Sequence, residues 1–267
     1  MLAEIHPPDS AGVAPLLTGL DHQLSAAAVL AGTMPGEVLV DDAAKPTSVF
    51  VSSPEGIFVG GNPTDAFAAG VRERLAATYR HERDGDLVVS FDHDGWNRLA
   101  TAIVPELALF RVPRRHYLLQ ADQPRRRPSP PPGVRIVPID AALLRHPRLP
   151  DHVQSWIDGN WGGEKNFLAR GFGVAAVQDD MIVSWSVADC VVADRAEIGI
   201  HTVPEYRRRG LATQVTAAAV TDAFRRGLTQ VGWHCNEDNP GSYRTAEAVG
   251  FSLRRHYNYA AYTPRGR

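Results

Sequence analysis

Residues 197–227 read EIGIHTVPEYRRRGLATQVTAAAVTDAFRRG, and a change of period inside this run decides the architecture. Ile198, Ile200 and Thr202 alternate with Gly199 and His201, a spacing of two with β-branched residues that predicts a strand. Pro204 ends it, because proline has no N–H to give and restricts the residue before it. From Arg209 the spacing becomes helical. Leu211, Val215, Ala218 and Ala219 form one stripe, with Ala212, Thr216 and Ala223 beside it. Gly227 stands where a left-handed C-terminal cap belongs, and Arg225 and Arg226 suit the negative end of the helix dipole. Between strand and helix lies Arg207-Arg208-Arg209-Gly210-Leu211-Ala212. A helix start presents unpaired N–H groups and a partial positive charge, so it accepts phosphate. Gly210 and Ala212 keep bulk out of the way and the arginines add counter-charge. The turn reads as a diphosphate cradle following a strand. It lacks the three spaced glycines of a dinucleotide fingerprint and the Gly-Lys-Ser/Thr of a Walker loop.

This run resembles the coenzyme A signature of the GNAT N-acetyltransferases, Gln/Arg-x-x-Gly-x-Gly/Ala, matched by Arg207, Gly210 and Ala212. Val203-Pro204-Glu205-Tyr206 before it is similar to that superfamily as well. Downstream, Asn239-Pro240-Gly241-Ser242 and Val249-Gly250-Phe251 fall where such proteins carry Asn-x-x-Ala and Gly-Phe. The resemblance covers residues 134–262 and leaves the first half of the chain outside it. It implies acetyl-CoA as cosubstrate. Coenzyme contacts would run from Ile200, Thr202 and Val203, through Arg207, Arg208, Arg209, Gly210, Leu211, Ala212 and Thr213, to Asn239 and Ser242.

The remainder of the chain sets the context. With 267 residues, 44% of them hydrophobic, there is enough chain for two domains and a normal core. The formal charge of −2 gives no overall basic field and argues against nucleic acid as a partner. Lys45 and Lys165 are the only lysines, an arginine bias that fits genomic base composition. Cys190 and Cys235 have no metal or redox spacing, which suggests a reducing compartment, and no metal is expected. No apolar run is long enough to span a bilayer, and the N-terminus lacks a secretory pattern, so the expectation is a cytoplasmic protein without membrane contact.

Read in order, residues 9–32 suggest one amphipathic helix carrying Leu17, Leu20, Leu24 and Ala28. Short strands are expected at 37–40, 48–52, 56–60 and 87–91, helices at 65–80 and 94–104, and an extended segment at 107–120. Gly60-Gly61 before Asn62-Pro63 reads as a turn rather than a cradle. Residues 121–133, ADQPRRRPSPPPG, hold five prolines and read as a semi-rigid spacer. Beyond it come a strand at 134–138, helices at 140–145 and 151–160, and a hairpin of 173–178 with 181–190 around Asp179-Asp180. After the 197–203 strand and its helix follow a strand at 230–234, a helix at 241–249 and strands at 251–256 and 259–263. The expected organisation is an α/β domain at 1–120, a linker at 121–133, and a GNAT-like domain at 134–267 with a mixed sheet flanked by helices. The similar size and mixed order of the halves permit the first to be a degenerate copy.

The family reaction moves acetyl from acetyl-CoA to an amine. An ammonium has no lone pair, so a base must first take its proton. Glu197 is the first choice and His201 the second, since both share one strand face with Gly199. Each also has an ordinary reading, Glu197 as an arginine partner and His201 as a surface residue. Many GNAT enzymes carry a tyrosine general acid four residues before the Gly-Phe glycine; here that position is Ala246. Tyr243 lies nearly one turn earlier, with Tyr257 and Tyr259 as other candidates, and a thiolate leaves well enough for no acid to be required. Trp156, Trp161, Trp185 and Trp233 suit a core better than an acceptor pocket. Likewise His234-Cys235 is a weak metal pair. The favoured reading is N-acetylation of a small-molecule amine. Beside it stand a non-catalytic coenzyme-responsive module and a protein acetyltransferase.

Overall fold

The computed structural model describes residues 2–7, 9–79, 87–126 and 129–264. In chain order these form β1 (Ala3–Glu4), a 3-10 segment (Asp9–Leu20), α1 (Leu24–Leu30), β2 (Glu37–Val40), β3 (Ser48–Ser53), β4 (Gly56–Gly61) and α2 (Asp65–Tyr79). β5 (Leu87–Phe91), α3 (Asn97–Ile103) and β6 (Leu107–Gln120) complete the first half. The second half has β7 (Val134–Pro138), α4 (Ala141–Leu144), α5 (Asp151–Trp161), α6 (Glu164–Arg170), β8 (Gly173–Gln178), β9 (Met181–Val192) and β10 (Arg195–Thr202). It closes with α7 (Leu211–Arg225), β11 (Gln230–Asn236), α8 (Pro240–Val249) and β12 (Ser252–Pro264).

These elements make two compact units, 1–113 with 258–267, and 114–257, so the division falls inside β6 and inside β12. Within the first unit the strand order is β1-β2-β3-β4-β5-β12, and within the second it is β6-β11-β10-β9-β8-β7. The units repeat one plan. In each, four strands run antiparallel to their neighbours, then a helix (α2 or α7) crosses over to a strand that pairs in parallel, β5 with β4 and β11 with β10. The closing strand of each half pairs in the opposite unit: β12 against β5 at 260–262, and β6 against β11 at 114–120.

Period-two segments became strands and the hairpin turned at Asp179-Asp180, both at positive φ as a tight primed turn requires. Three elements differ from the sequence reading. The single helix over 9–32 is a 3-10 segment and a short α-helix, because Pro15 removes a donor inside the first turns. Glu164–Arg170 forms α6, too short for its apolar spacing to stand out. Residues 252–264 form one continuous strand rather than two. The helix expected over 65–80 is α2, with Arg80 outside the described residues.

Residues 121–126 and 129–133 belong to the second unit, while Arg127 and Pro128 lie outside the described residues. The Arg126 N–H donates to Val249 O, Gln214 Nε2 donates to Ser129 O, and the Arg125 guanidinium lies 5.0 Å from the Phe224 ring centroid.

Each unit has its own core. In the first, Trp96, Phe67, Ile103 and Tyr262 are buried, and the Tyr262 hydroxyl donates to Ala100 O. In the second, Trp161, Trp185 and Trp233 are fully buried, as the sequence favoured, whereas Trp156 is half-buried. The buried face of α7 mixes Leu211, Val215 and Val220 with the small Ala217, Ala219 and Ala223, which lets it lie close on the sheet.

Candidate active site

The site is built where β10 stops being paired. β10 holds β9 along its whole length, but its parallel register with β11 ends at Glu197–Gly232, although β10 continues to Thr202 and β11 to Asn236. His201 O accepts from Ser184 Oγ and Val203 N–H donates to Val183 O, both on the β9 side. Strand alternation therefore turns the backbone N–H groups of Ile200 and Thr202 toward the opening. The backbone then passes through a 3-10 turn, Pro204–Tyr206, and takes left-handed φ at Arg208 (60°) and Gly210 (77°) before α7 begins. A side chain at Gly210 would meet nothing within 4 Å, so the turn is open in front of it. No side chain caps α7, whose first N–H groups are left for a ligand.

These features line a cavity of about 610 Å³. Ile200, Thr202, Arg207, Arg208, Gly210, Leu211, Ala212 and Thr213 form one side, and Asn239 and Ser242 part of the other. Asn239 caps α8 by accepting the Ser242 N–H, and Ser242 Oγ accepts from Trp233 Nε1, so both side chains are anchored. Arg207 Nε donates to Thr202 O, tying the loop back to the strand end. Of the coenzyme residues named from sequence, Val203 and Arg209 are not in the lining; Arg209 instead lies over the Tyr206 ring at 5.0 Å.

The proton-handling candidates are dispersed. His201 lines the cavity and stacks on Trp185 at 4.6 Å, with His152 at 5.0 Å. Burial, then the neighbouring His152 and Arg207, pull its pKa below the ordinary histidine value, which keeps the imidazole neutral at neutral pH. Glu197 lies outside the cavity lining and is 7% exposed, and the β9–β10 register shifts between it and Ile198. His234 Nε2 is 2.8 Å from Glu197 Oε1. Tyr243 is not in the lining either; it packs on the core with the Arg115 guanidinium 4.4 Å from its ring centroid.

Sequence reasoning missed the neighbours of Glu197. His116 faces His234 in the β6–β11 register, and their rings stack at 4.4 Å and 12°. Tyr257 OH is 2.8 Å from His234 Nδ1, and Arg114 Nε donates to the same phenol oxygen at 3.3 Å. Alternation along 107–120 puts Arg114 and His116 on one face, but the pairing with β11, more than a hundred residues away, has no local signal. Trp156, weighed from the sequence as core against acceptor pocket, is half-buried and outside the cavity lining. It packs on Gly199, where a Cβ would come within 2.0 Å of its ring, and its Nε1 donates to Asp189 Oδ1 at 2.8 Å.

A family model, GNAT acetyltransferase, matches residues 14–262. The chain belongs to the GNAT acetyltransferase family. The match takes in the first half, which the sequence motifs alone had left outside. This GNAT protein is 25% identical over 234 residues to the Bacillus subtilis (strain 168) protein called uncharacterized N-acetyltransferase YdfB, covering 86% of each chain. Its fold is similar to that of a GCN5-related N-acetyltransferase-like protein from Streptococcus suis 89/1591, with TM-score 0.74, 19% identity, and 97% and 100% of the two chains covered. It is also similar to a tandem GNAT protein from the clavulanic acid biosynthesis pathway, with TM-score 0.59, 12% identity, and 98% and 97% covered. The chain is an N-acetyltransferase of mixed α/β fold, from a family whose enzymes use acetyl-CoA. Among the described residues no helix is long and apolar enough to cross a membrane.

Proposed function

We propose that this N-acetyltransferase transfers acetyl directly from acetyl-CoA to a primary amine of a small molecule. The observation that carries the reading is the uncapped start of α7, opening on a cavity bounded by Arg207, Arg208 and Gly210 and continuous with the strand end at Ile200 and Thr202. The N–H groups of Leu211, Ala212 and Thr213, with the arginines, suit a diphosphate. The inward N–H groups of β10 suit the amide-bearing pantetheine arm and the thioester carbonyl, on which negative charge grows. Asn239 and Ser242 complete the opposite wall.

In the reaction the substrate ammonium gives one proton to a base, and the neutral amine attacks the thioester carbonyl. The C–S bond breaks and the thiolate leaves, taking up the second nitrogen proton as free thiol. Glu197 is the base we favour. His201 is the alternative, because its neutral imidazole can accept a proton at neutral pH. Glu197→Gln should then lower turnover about a hundredfold while leaving acetyl-CoA affinity unchanged. The deciding experiment measures thiol release from acetyl-CoA against a panel of small primary amines and a panel of lysine-bearing peptides, with the product mass determined. Turnover with the amines supports the reading. Turnover with peptides alone would replace the acceptor by a protein, and coenzyme binding without release in either panel would remove the transfer step.

A further inference from the structure

On the face of the second unit carrying Glu197 lies a linked set of side chains that coenzyme binding does not call for. Arg114 Nε donates to the Tyr257 phenol oxygen at 3.3 Å, that phenol lies 2.8 Å from His234 Nδ1, and His234 Nε2 lies 2.8 Å from Glu197 Oε1. Arg114 Nη1 also donates to Asn236 Oδ1, which anchors the far end. We propose that His234 and Tyr257 are positioning residues for acetyl transfer, holding the Glu197 carboxylate in one orientation toward the acceptor amine. This deepens the reading above and rests on Glu197 as its base.

The direction of the hydrogen bonds carries the argument. A guanidinium can only donate, so Arg114 occupies a lone pair of the phenol oxygen and leaves the phenol proton for His234 Nδ1. With Nδ1 accepting, the imidazole proton sits on Nε2 and points at the Glu197 carboxylate. Tyr257 and His234 then each give one proton and take one, and the run ends on the Glu197 carboxylate. Two packing features hold the geometry. His116 stacks on the His234 ring and prevents rotation, and Gly232 leaves the space that Glu197 fills, since a Cβ there would stand 3.0 Å from Glu197 Cγ. In the transfer step an N–H bond of the ammonium breaks and an O–H bond forms on Glu197. His234 keeps its own proton, and the proton on Glu197 passes to solvent after the product departs.

The same residues admit another chemistry. Ligand atoms of His116, Glu197 and His234 lie within 4.8 Å of one another, a donor set that suits zinc or iron. An ion shared by two imidazoles needs lone pairs that converge. Rings stacked within 12° of parallel hold theirs side by side, and both nitrogens of His234 are already hydrogen bonded. The geometry therefore favours the directed chain, and the metal becomes an outcome of the test.

The titratable and charged groups facing His234 are Arg114 and His116 from β6, Glu197 from β10 and Tyr257 from β12. The test uses full-length protein labelled with nitrogen-15 in histidine, its His234 signals assigned by their loss in His234→Gln. Wild-type protein should show its neutral His234 as a single tautomer, protonated on Nε2. Tyr257→Phe should let the tautomers average and shift the acid limb of thiol release with the primary-amine panel. It should also lower kcat about tenfold, the loss of one hydrogen bond, without changing KM for acetyl-CoA. His234→Gln, which keeps an N–H near the carboxylate, should retain more activity than His234→Ala. A His234 protonated on Nδ1, or a Tyr257→Phe protein with wild-type spectrum and pH profile, would overturn the proposal. So would stoichiometric bound metal whose chelation moves both imidazoles, which would assign a metal site instead. Glu197→Gln turning over at the wild-type rate would remove the base itself, and the tautomer spectrum would then describe a purely structural chain.

Discussion

The two units share one plan of strands and crossover, yet at the same place in that plan one is open and the other is filled from within. In the second unit the turn from β10 into α7 faces a cavity, and Gly210 has space in front of it. In the first unit the end of β4 is occupied by its own chain. A Cβ on Gly60 would meet Leu16 O at 2.1 Å, and one on Gly61 would meet Thr47 O at 2.2 Å. The Gly61 N–H donates to Asp92 Oδ2, whose other oxygen accepts from Trp96 Nε1. His93 Nε2 lies 3.0 Å from Gly61 O, as a donor to it. A carboxylate among the strand-end amides repels phosphate, so the first unit could not hold a diphosphate there without expelling Asp92. A pattern of strands and crossovers sets where a coenzyme site could be. The residues at one turn decide whether there is one.

The contrast can be broken most directly at the two glycines. Gly210→Glu puts a carboxylate into the open turn, and it should cost at least a hundredfold in acetyl-CoA affinity by calorimetry, with the protein still folded. Affinity close to wild type would remove the phosphate assignment. Gly60→Ala should do the reverse. Its methyl group runs into a backbone oxygen that cannot step aside, so unfolding free energy should fall by about 3 kcal/mol. Coenzyme affinity measured below the melting transition should stay as it was. If the two variants gave the same phenotype, the division of labour between the units would be wrong.

How much of this was legible in the sequence differs along the same line. The cradle was, because everything that makes it is local: Ile200 and Thr202 by period, Pro204 as a stop, Gly210 at a left-handed turn, and arginines beside a helix start. The fold class followed from the order of such segments. The surroundings of Glu197 were not legible, since β6 reaches β11 across more than a hundred residues, and no local pattern says that His116 will face His234. Nor could proline content reveal that residues 121–126 pack on α7 and α8, as Arg125 on Phe224 and Arg126 on Val249 do. In the first half Gly60-Gly61 read as an ordinary turn. The reason for those glycines is steric: Gly60 lies against Leu16 of the 3-10 segment some forty residues earlier, and Gly61, at positive φ, lies against Thr47.

The smallest expected effect concerns the plug itself. Burial raises the Asp92 carboxyl above its ordinary 3.8, outweighing the Gly61 hydrogen bond and the neighbouring His93 that pull the other way. A carboxyl whose folded pKa is raised binds its proton more tightly when folded. Its contribution to stability is therefore complete below the unfolded value and is lost as pH rises through the folded one. Asp92→Asn removes that titration. It also turns an amide donor toward one of the N–H groups that Asp92 accepts, which should cost about 1 kcal/mol at neutral pH. The stability difference between wild type and Asp92→Asn, from denaturant melts at several pH values, should widen on acidification toward the unfolded pKa, because only the wild type gains the proton. A difference that narrows would mean that the carboxylate is stabilised as an ion. The filled turn would then be a built anion site of the first unit's own, and its contrast with the open one would be a matter of which anion each holds.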